Sequence, residues 1–510
     1  MPTVLVCTSG SAAYNFAPAV AEAFFQQIPL VIFTADRPAE WIDQLDGQTI
    51  RQQNIFGAHA KKSYQLPEDY NHADSSWHIN RIVNEAVNVS KEFPKGPVHI
   101  NIPLREPLYP AKGEKISFTK AVRIHTETHV DYQLNPVQKN QLHTAIKKYS
   151  KILLLIGQGE HNDGLLKSVE KFCKVHHAVL VGDIISNFHS ASANIRYADI
   201  FLGQCGESVQ NSLTPELLIT FGKSIISKNA KLFLRKHKPL EHWHIQPAGK
   251  VADTFQSLTQ IIKSSPKTFF DELGLIEKSK DFQSQKKENF LRIWEAEEHR
   301  TIRSARLYFE KSAFNEFALI NEIIKSLPLR CNLHLANSMA VRYANMIGLE
   351  AGKKGVHVFC NRGTSGIDGC TSTSVGHALS SDIPNILITG DLAFFYDRNA
   401  FWHNYPIPNL HIIVINNHGG IIFKMIDGPA DLPESEEYFV TKQKLSAKNL
   451  AEEFNFDFIF LDSVKKIKNS LRDFFDFAGK TKILEIESNQ KEAKESFDQF
   501  KTQIKKGYDT

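Results

Sequence analysis

Short apolar runs alternate with stretches of helical periodicity along most of this 510-residue chain. In the first part, three runs have the continuous apolar character of strands that are buried on both faces: TVLVCTSG, PLVIFTADRP and GPVHINIPL. Residues 12–27 and 77–93, which lie between these runs, have the periodicity of helices. Strands that alternate with helices indicate parallel α/β domains, in which ligands bind at the carboxyl ends of the strands.

Two further blocks with the same alternation follow a polar, irregular stretch that ends near residue 131. The predicted strands of the second block are KILLLIGQGE, AVLVGDII, ADIFLG, ELLITFGKS and KLFLRK. A charged helical stretch, residues 282–309, leads to a third block, which opens with the predicted helix SAFNEFALINEIIKSLP. Its predicted strands are NLHLAN, VHVFCN, NILITG, LHIIVI and FDFIFL. We therefore predict three consecutive doubly wound parallel-sheet domains over residues 1–115, 130–281 and 312–510, with a charged, solvated helix after residue 488.

Composition narrows the class of protein. A chain of this length is too long for one hydrophobic core, and 42% hydrophobic with 23% charged residues is typical of globular proteins. The formal net charge of +4 is too slight to indicate a nucleic-acid partner. Six scattered cysteines without a CxxC pair argue against a disulfide framework or a zinc site. Since no apolar run approaches the ~18 residues of a membrane helix, we expect no membrane span and a cytoplasmic location.

The clearest chemical signal lies in the third block, where polar clusters end two successive apolar strands. Gly390-Asp391 follows NILITG, and the second cluster, residues 416–420 (NNHGG), follows LHIIVI. The Asp391 carboxylate, the Asn417 amide oxygen and the Gly419 carbonyl are hard oxygen donors that suit Mg²⁺. A helix that opens at Leu392 would direct free N–H groups at an anion. Either cluster alone is compatible with a plain turn, but together they indicate a magnesium and diphosphate site.

The spacing from Gly-Asp to Asn-Asn resembles the signature of thiamine-diphosphate enzymes, although Leu392 stands where the general signature has a second glycine. Four other segments are similar to one branch of that family, the SEPHCHC synthases of menaquinone biosynthesis: CTSGSA (residues 7–12), ADRPAEWID (35–43), GQTIRQ (47–52) and NRGTSGIDG (361–369). The resemblance runs from residue 3 to about residue 430 and is vague in the second block. It implies a pyrimidine-binding first domain, a central domain, and a third domain that binds diphosphate and metal.

The resemblance also implies where the cofactor binds. Thiamine diphosphate would bind together with Mg²⁺ or Mn²⁺, and the metal would be held by Asp391, Asn417 and Gly419. Ile367 would be the bulky apolar wedge beneath the thiazolium ring of the cofactor. The residues expected to contact the cofactor are Ile367, Gly390, Asp391, Leu392, Asn417, Gly419 and Ile422.

The implied substrates, 2-oxoglutarate and isochorismate, carry two carboxylates each and need several cationic partners. By the resemblance, the succinyl side would be bound by Ser338, Arg342 and Arg362, and the isochorismate side by Arg37, Gln48 and Lys228. Ser338 and Arg342 are four residues apart and therefore share a helix face. Asn229 departs from the family, which often has a second basic residue there. Each cation taken alone is also compatible with a plain surface charge.

The implied reaction is decarboxylation of 2-oxoglutarate followed by conjugate addition of the succinyl carbanion equivalent to isochorismate. The enzyme would be a transferase, acting as a homodimer or homotetramer with the active site at the subunit interface. Two alternatives stay open. One is another thiamine-diphosphate carboligase or decarboxylase that acts on 2-oxo acids, and the other is a non-catalytic relative with the same fold.

One residue that the resemblance requires is not found. Thiamine-diphosphate enzymes use a glutamate against the aminopyrimidine ring, and in this branch it lies shortly before the Thr-Ser-Gly motif. Here that motif is Thr8-Ser9-Gly10, and the first acidic residue, Glu22, lies on the following helix. We therefore expect this chain to be N-terminally incomplete in its first domain, to expose strand surface around Val4 and Leu5, and not to turn over by itself.

Overall fold

A computed structural model describes residues 1–106, 108–115, 118, 120, 122–128, 132–275, 282–426 and 428–508. The chain divides into two units, residues 1–131 with 362–365, and residues 132–361 with 366–510. The three sheets of the described part are all parallel, which confirms the predicted α/β fold of three consecutive parallel-sheet domains. The expected domain limits at residues 130, 281 and 510 lie outside the described residues.

The first unit contains a four-stranded sheet in the order β1-β2-β4-β3. Its strands are β1 (Thr3–Cys7), β2 (Leu30–Asp36), β3 (Lys62–Gln65) and β4 (Pro97–Pro103), and its helices are α1 (Ser11–Tyr14), α2 (Ala17–Gln26) and α3 (Ala73–Lys91). The single helix predicted over residues 12–27 is two helices, because Pro18 lies in the first turn of α2, where a missing N–H is tolerated. The short strand β3 was not predicted, since KSYQ is too polar to stand out.

Strand β1 lies at the edge of this sheet. Val4 and Val6 have exposed fractions of 54% and 71%, as expected for the strand surface around Val4. Leu5, between them, is instead half-buried and packs against the core formed by Val20 and Ile32. The strand therefore packs against α2 and β2 through one face only.

The second sheet has six strands in the order β10-β9-β8-β5-β6-β7. They are β5 (Ile152–Ile156), β6 (Val179–Gly182), β7 (Asn194–Ile195), β8 (Leu217–Phe221), β9 (Glu241–Ile245) and β10 (Gln260–Ile262). The accompanying helices are α4 (Pro136–Ile146), α5 (Asp163–His176), α6 (Ala198–Gln204), α7 (Glu207–Leu213), α8 (Lys228–Lys236) and α9 (Pro266–Leu273).

Two strands predicted in this block are wrong. ADIFLG belongs to α6, where five consecutive residues are buried. Because the run is short and buried on all sides, its hydrophobic pattern has no periodicity that would distinguish a helix from a strand. KLFLRK belongs to α8, which is capped by Ser227 and buries Ala230, Phe233 and Leu234 at helical spacing. The capping serine was the signal that could have identified this helix.

The third sheet follows the long charged helix α10 (Phe282–Lys311), which was predicted, and has the order β12-β11-β13-β14-β16-β15. Its strands are β11 (Arg330–Leu335), β12 (Gly355–Phe359), β13 (Asn385–Gly390), β14 (Leu410–Asn416), β15 (Asp457–Leu461) and β16 (Lys482–Glu487). Its helices are α11 (Glu316–Ser326), α12 (Met339–Ile347), α13 (Cys370–Leu379), α14 (Asp391–Tyr396), α15 (Ile422–Met425), α16 (Ala447–Glu453), α17 (Ile467–Phe474) and α18 (Gln490–Lys506).

All five strands predicted in the third block are present, and β16 is an addition to them. The C-terminal helix α18 exists as predicted, but it is not solvated all round. Ala493, Phe497, Phe500 and Ile504 form a buried stripe on one face of it. Within the described residues, no helix is both long enough and apolar enough to cross a membrane.

Each sheet is packed on both faces, as a doubly wound fold requires. In β5, Leu154 belongs to one core cluster and the adjacent Leu153 to another. In β13, Ile386 and Leu387 divide in the same way between two clusters. Since both faces are apolar, polar side chains of these strands are displaced to the strand ends, which is where a ligand site can form.

Several buried histidines make the fold sensitive to acid. Burial lowers the pKa of five of them to about 4: His99, His176, His189, His242 and His411. His99, for example, lies between two hydroxyls, with Nε2 at 2.8 Å from Thr34 Oγ1 and Nδ1 at 2.9 Å from Ser63 Oγ. An unfolded histidine binds its proton near pH 6.5, so these groups stabilise the fold above that pH.

We therefore expect stability to be lost as the pH falls from about 6.5 toward 4. Between pH 7 and pH 5 each such histidine should contribute a loss of roughly 1 to 2 kcal/mol. His99→Asn should remove its share of this pH dependence, measured by urea unfolding at both pH values. The control is His59→Asn, since His59 is exposed. An unchanged pH dependence in His99→Asn would contradict the prediction.

Candidate functional site

The carboxyl ends of β13 and β14 lie side by side. The two strands pair in parallel, with Gly390 opposite Ile415. Asp391 and Asn417 come just beyond these positions and therefore lie at the same edge of the sheet, as the strand pattern predicts. Their exposed fractions are 2% and 7%, so both polar side chains are buried.

Asp391 is held in place by several hydrogen bonds. Its Oδ2 accepts a hydrogen bond of 2.7 Å from Gln443 Nε2, and it also accepts from the backbone N–H groups of Leu392 and Gly419. Burial raises the pKa of Asp391, and these hydrogen bonds oppose that rise. Helix α14 has only six residues, and its Leu392 N–H already serves Asp391. The anion site expected at this helix start stays a prediction.

Asn417 has one satisfied end and one unsatisfied end. Its Nδ2 donates a hydrogen bond of 3.1 Å to Glu316 Oε2. Its Oδ1 is buried and has no hydrogen-bond partner among the described residues. A buried oxygen without a partner costs about 1 to 3 kcal/mol, and a bound cation would account for it.

The donors present fit a magnesium ion. A carboxylate, an amide oxygen and a backbone carbonyl are hard oxygen ligands, and Mg²⁺ usually completes such a set with phosphate and water. The part of the chain that the structure describes contains no cluster of three or more His, Cys, Asp or Glu side chains suited to a metal. A softer metal that needs several nitrogen or sulfur ligands is therefore a poor match for this site.

The backbone after Asn417 runs too close to a neighbouring segment for a side chain. Gly420 N donates to Val440 O at 2.6 Å. A Cβ atom on Gly419 would lie 2.7 Å from the same carbonyl oxygen. Glycine is therefore required at position 419 by close approach of the backbone.

Glu316 is a site residue that the sequence analysis missed. It is buried at the start of α11 and accepts hydrogen bonds from Tyr343 Oη at 2.7 Å, Asn417 Nδ2 at 3.1 Å and Ser488 Oγ at 3.0 Å. Burial raises the pKa of Glu316, and these three hydrogen bonds oppose that rise. No local motif marks this residue, because all its partners are distant in sequence.

The two isoleucines expected near the cofactor are half-buried. Ile367 and Ile422 both pack against the core cluster of the third sheet. The loop that carries Ile367 is closed by Asn337, whose Nδ2 donates to Asn361 O and Gly366 O, both at 2.6 Å. Asn337 was not predicted as a site residue, although it holds this loop in shape.

In the second unit, the Arg342 side chain contacts the backbone of Ser338, which directly precedes α12. Arg342 Nη1 donates to the Ser338 carbonyl at 2.6 Å in the first turn of α12. Burial raises the pKa of the nearby Asp199, and the Arg342 charge is among the influences that lower it.

The same buried aspartate anchors the start of α8, where Lys228 is exposed. Asp199 Oδ1 accepts from Ser227 Oγ at 2.5 Å and from Asn229 N at 3.1 Å, while Asn229 Nδ2 donates to Asp199 O at 2.7 Å. Asn229 thus has a structural role at the start of this helix. Lys228 is thus the first residue of a helix whose start is held by a buried acid.

In the first unit, the three segments CTSGSA, ADRPAEWID and GQTIRQ meet at the carboxyl ends of β1, β2 and β4. Gln52 links them, since its Oε1 accepts from Gly10 N at 2.7 Å and its Nε2 donates to Asn101 Oδ1 at 3.1 Å. Asn101 Nδ2 in turn donates to Asp36 Oδ2 at 2.7 Å. This network positions the backbone on both sides of Arg37 and Gln48.

Arg37 and Gln48 lie next to each other in the first unit. Arg37 Nη2 lies 3.5 Å from Gln48 Oε1, and Arg37 Nε is buried without a hydrogen-bond partner within the described part of the chain. The structure therefore brings together the two predicted site residues of the first unit that lie near β2.

Arg362 belongs to the short segment 362–365 of the first unit. The neighbouring N–H groups of Gly363 and Thr364 donate to the Glu22 carboxylate at 2.8 and 2.6 Å, and Thr364 Oγ1 donates to it at 2.8 Å. Glu22 is therefore committed to holding this segment, a role that the sequence analysis did not assign.

The sequence of this chain also matches a family model and several known proteins. Residues 125–335 match a family model described as "Middle domain of thiamine pyrophosphate". A 2-succinyl-5-enolpyruvyl-6-hydroxy-3-cyclohexene-1-carboxylate (SEPHCHC) synthase from Cytophaga hutchinsonii is 42% identical over 508 residues, covering 99% of this chain and 88% of that protein. The synthases of the same name from Flavobacterium johnsoniae and Bacteroides thetaiotaomicron are 38% and 37% identical, covering 95% and 93% of this chain and 84% and 81% of theirs.

The close approach at Gly419 leads to a testable difference between two glycines. Gly419→Ala should destabilise the protein by roughly 1–3 kcal/mol, because the added methyl group displaces the segment around Val440. Gly390→Ala is the matched control, since a Cβ there has no neighbour within 4 Å. Both are measured by chemical denaturation, and equal midpoints for the two variants would refute the argument.

Proposed function

This chain belongs to the family of SEPHCHC synthases, which are thiamine-diphosphate enzymes, and we propose on that premise that it decarboxylates 2-oxoglutarate and transfers the succinyl unit to isochorismate in menaquinone biosynthesis. The observation that carries the proposal is the pair of buried donors Asp391 and Asn417, with Asn417 Oδ1 lacking a partner among the described residues. As in the sequence analysis, a homodimer or homotetramer with the active site at the subunit interface is part of the proposal.

The third-sheet site would hold the cofactor through its metal. Asp391, Asn417 Oδ1 and the Gly419 carbonyl would bind Mg²⁺ or Mn²⁺, and the metal would share its remaining positions with the diphosphate. Gly390, Leu392, Ile367 and Ile422 would complete the contacts with the cofactor. Thiamine diphosphate, when bound, supplies the nucleophilic carbon and the electron sink that decarboxylation of a 2-oxo acid requires.

The protein residues would bind and orient the two acidic substrates. Ser338, Arg342 and Arg362 are proposed to hold the distal carboxylate of 2-oxoglutarate, because guanidinium groups pair with carboxylates in a fixed geometry. Arg37, Gln48 and Lys228 are proposed to hold isochorismate. Support comes from the anchoring of these residues, since Arg342 is held by the Ser338 carbonyl, the start of α8 is held by Asp199, and Arg37 lies beside Gln48.

Product formation tests the function directly. The 510-residue chain and a form extended by the codons upstream of Met1 are each given thiamine diphosphate, Mg²⁺, 2-oxoglutarate and isochorismate. Mass spectrometry should detect a product that requires both substrates, and pyruvate should not replace 2-oxoglutarate. A product from pyruvate alone would favour another carboligase, and no product from either form would contradict the proposal.

The same assay tests the expectation about the glutamate, which stays a prediction. Turnover by the extended form alone would agree with a missing activating residue. Normal turnover by the 510-residue chain would overturn that expectation, while the proposed function would stand. In that case Glu22 would be a poor candidate for the role, since its carboxylate already binds Gly363 and Thr364.

Asp391→Ala should abolish cofactor binding. The substitution removes the charged ligand. The affinity for thiamine diphosphate should therefore fall by more than the roughly 10- to 100-fold that is lost when a residue hydrogen-bonded to a metal ligand is removed. Calorimetry of thiamine diphosphate with Mg²⁺, on protein shown to be folded, measures it. Asp473→Ala is the control, because Asp473 is exposed and pairs only with Arg472 among its described ionic partners. Binding that matches the parent would rule out the ligand role of Asp391.

Arg342→Ala should weaken the use of 2-oxoglutarate. Loss of a charge-assisted contact with the substrate should cost roughly 2–4 kcal/mol, or about 30- to 900-fold in kcat/KM. The measurement uses whichever form of the protein turns over. Arg398→Ala is the control, since Arg398 is half exposed and pairs with Glu453 at 2.9 Å. If kcat/KM for 2-oxoglutarate is the same in both variants, Arg342 does not bind this substrate.

A further inference from the structure

The two ends of the Asn417 amide are in different environments within the described part of the chain. Nδ2 donates to Glu316 Oε2 at 3.1 Å, whereas Oδ1 is buried without a partner in the described chain. We propose that Glu316 is a positioning residue that orients the Asn417 amide so that its oxygen, and not its NH₂ group, faces the metal. This inference rests on the proposed function, because it takes Asn417 as a metal ligand.

The argument begins from hydrogen-bond polarity. An ionised carboxylate only accepts hydrogen bonds, and an amide side chain has one donating end and one accepting end. Contact with Glu316 therefore selects the orientation in which Nδ2 faces the carboxylate. The two amide orientations are almost identical in shape, so packing alone discriminates poorly between them. In the wrong orientation, N–H donors would point at the cation and would repel it.

Glu316 is itself fixed from three directions. Asn315 caps α11 by accepting from Ala318 N at 2.9 Å, which fixes the backbone beside Glu316. Tyr343 Oη on α12 and Ser488 Oγ, just after β16, donate to the two carboxylate oxygens at 2.7 and 3.0 Å. A side chain held by three elements of the fold can hold a metal ligand within the narrow geometry that coordination needs.

The direction of the hydrogen bond from residue 417 to Glu316 also explains why an asparagine is suited to position 417. Aspartate is a stronger ligand for Mg²⁺, but it would place a second carboxylate against Glu316 in a buried site. Two buried carboxylates about 3 Å apart repel strongly. An amide can donate to Glu316 on one side and present an oxygen on the other.

The first experiment compares two substitutions of Glu316. Glu316→Leu removes the acceptor and should weaken Mg²⁺-dependent binding of thiamine diphosphate by roughly 10- to 100-fold. Glu316→Gln should bind within about threefold of the parent, because its Oε1 can accept from Asn417 while its NH₂ group donates to Tyr343 Oη. Calorimetry measures the affinity, and electron paramagnetic resonance with Mn²⁺ alone reports the metal environment.

The control for general destabilisation is Glu298→Leu. Glu298 is another buried glutamate of the same unit, and it accepts from Arg196 N and Tyr197 N at 3.1 and 2.9 Å. Folding of each variant is checked by circular dichroism. Equal weakening in Glu298→Leu and Glu316→Leu would overturn the proposal, as would a folded Glu316→Leu that binds within threefold of the parent.

The second experiment reverses the polarity of the hydrogen bond and does not depend on Glu316→Leu folding. Asn417→Asp should weaken cofactor binding at least tenfold at pH 8. Adding Glu316→Gln to it should recover at least tenfold, since the glutamine NH₂ group can donate to the new carboxylate. Such non-additivity is the signature of direct coupling between two side chains. Additive effects of the two substitutions would show that Glu316 does not orient residue 417.

Failure of the inference can be separated from failure of the proposed function. Asn417→Ala removes the amide altogether and tests whether this residue binds the metal. Unchanged binding in that variant would refute the ligand assignment, and the inference would fall with it. Lost binding in Asn417→Ala with parental binding in Glu316→Leu would overturn the inference alone.

Discussion

The parallel pairing of β13 with β14 is the constraint on which the candidate site depends. Both strands are buried along almost their whole length, so a shift of register would move apolar side chains out of the two cores that cover the sheet. The pairing of Gly390 with Ile415 is thus set by packing and not by the site. Asp391 and Asn417 are brought together as a consequence of that packing. The fold determines where the polar groups emerge, and only their hydrogen bonds determine what they can bind.

Those hydrogen bonds give two consecutive asparagines different roles. Asn416 is saturated, since its Nδ2 donates to Glu485 Oε1 at 2.6 Å and to Leu445 O at 2.9 Å, and its Oδ1 accepts from Gln443 at 2.9 Å. Asn417 is held by a different buried acid, and its oxygen has no hydrogen-bond partner among the described residues. Gln443 connects Asn416 with Asp391. The first asparagine therefore supports the framework, and the second is the proposed metal ligand.

The sequence predicted the parts of the molecule that local pattern determines. Continuous apolar runs such as NILITG and LHIIVI are long enough, and polar enough at their ends, to indicate buried strands and the position of the site. ADIFLG was misassigned because a short run that is buried on every side has no period. Glu316 and Gln443 could not be found in this way, because their contacts join segments that only the folded chain brings together. The motif located the proposed ligands, whereas the buried side chains that contact them depend on tertiary structure.

The acids around the predicted substrate residues follow one physical rule. Glu22 binds the backbone N–H groups of Gly363 and Thr364, and Asp199 binds Ser227 and the N–H of Asn229. Asp199 is buried and Glu22 is half-buried. Removing a carboxylate from water is costly unless its oxygens are satisfied by donors, and here backbone N–H groups satisfy them at positions that the fold itself sets. Each acid thereby fixes a loop or a helix start next to a cation, Arg362 in one case and Lys228 in the other.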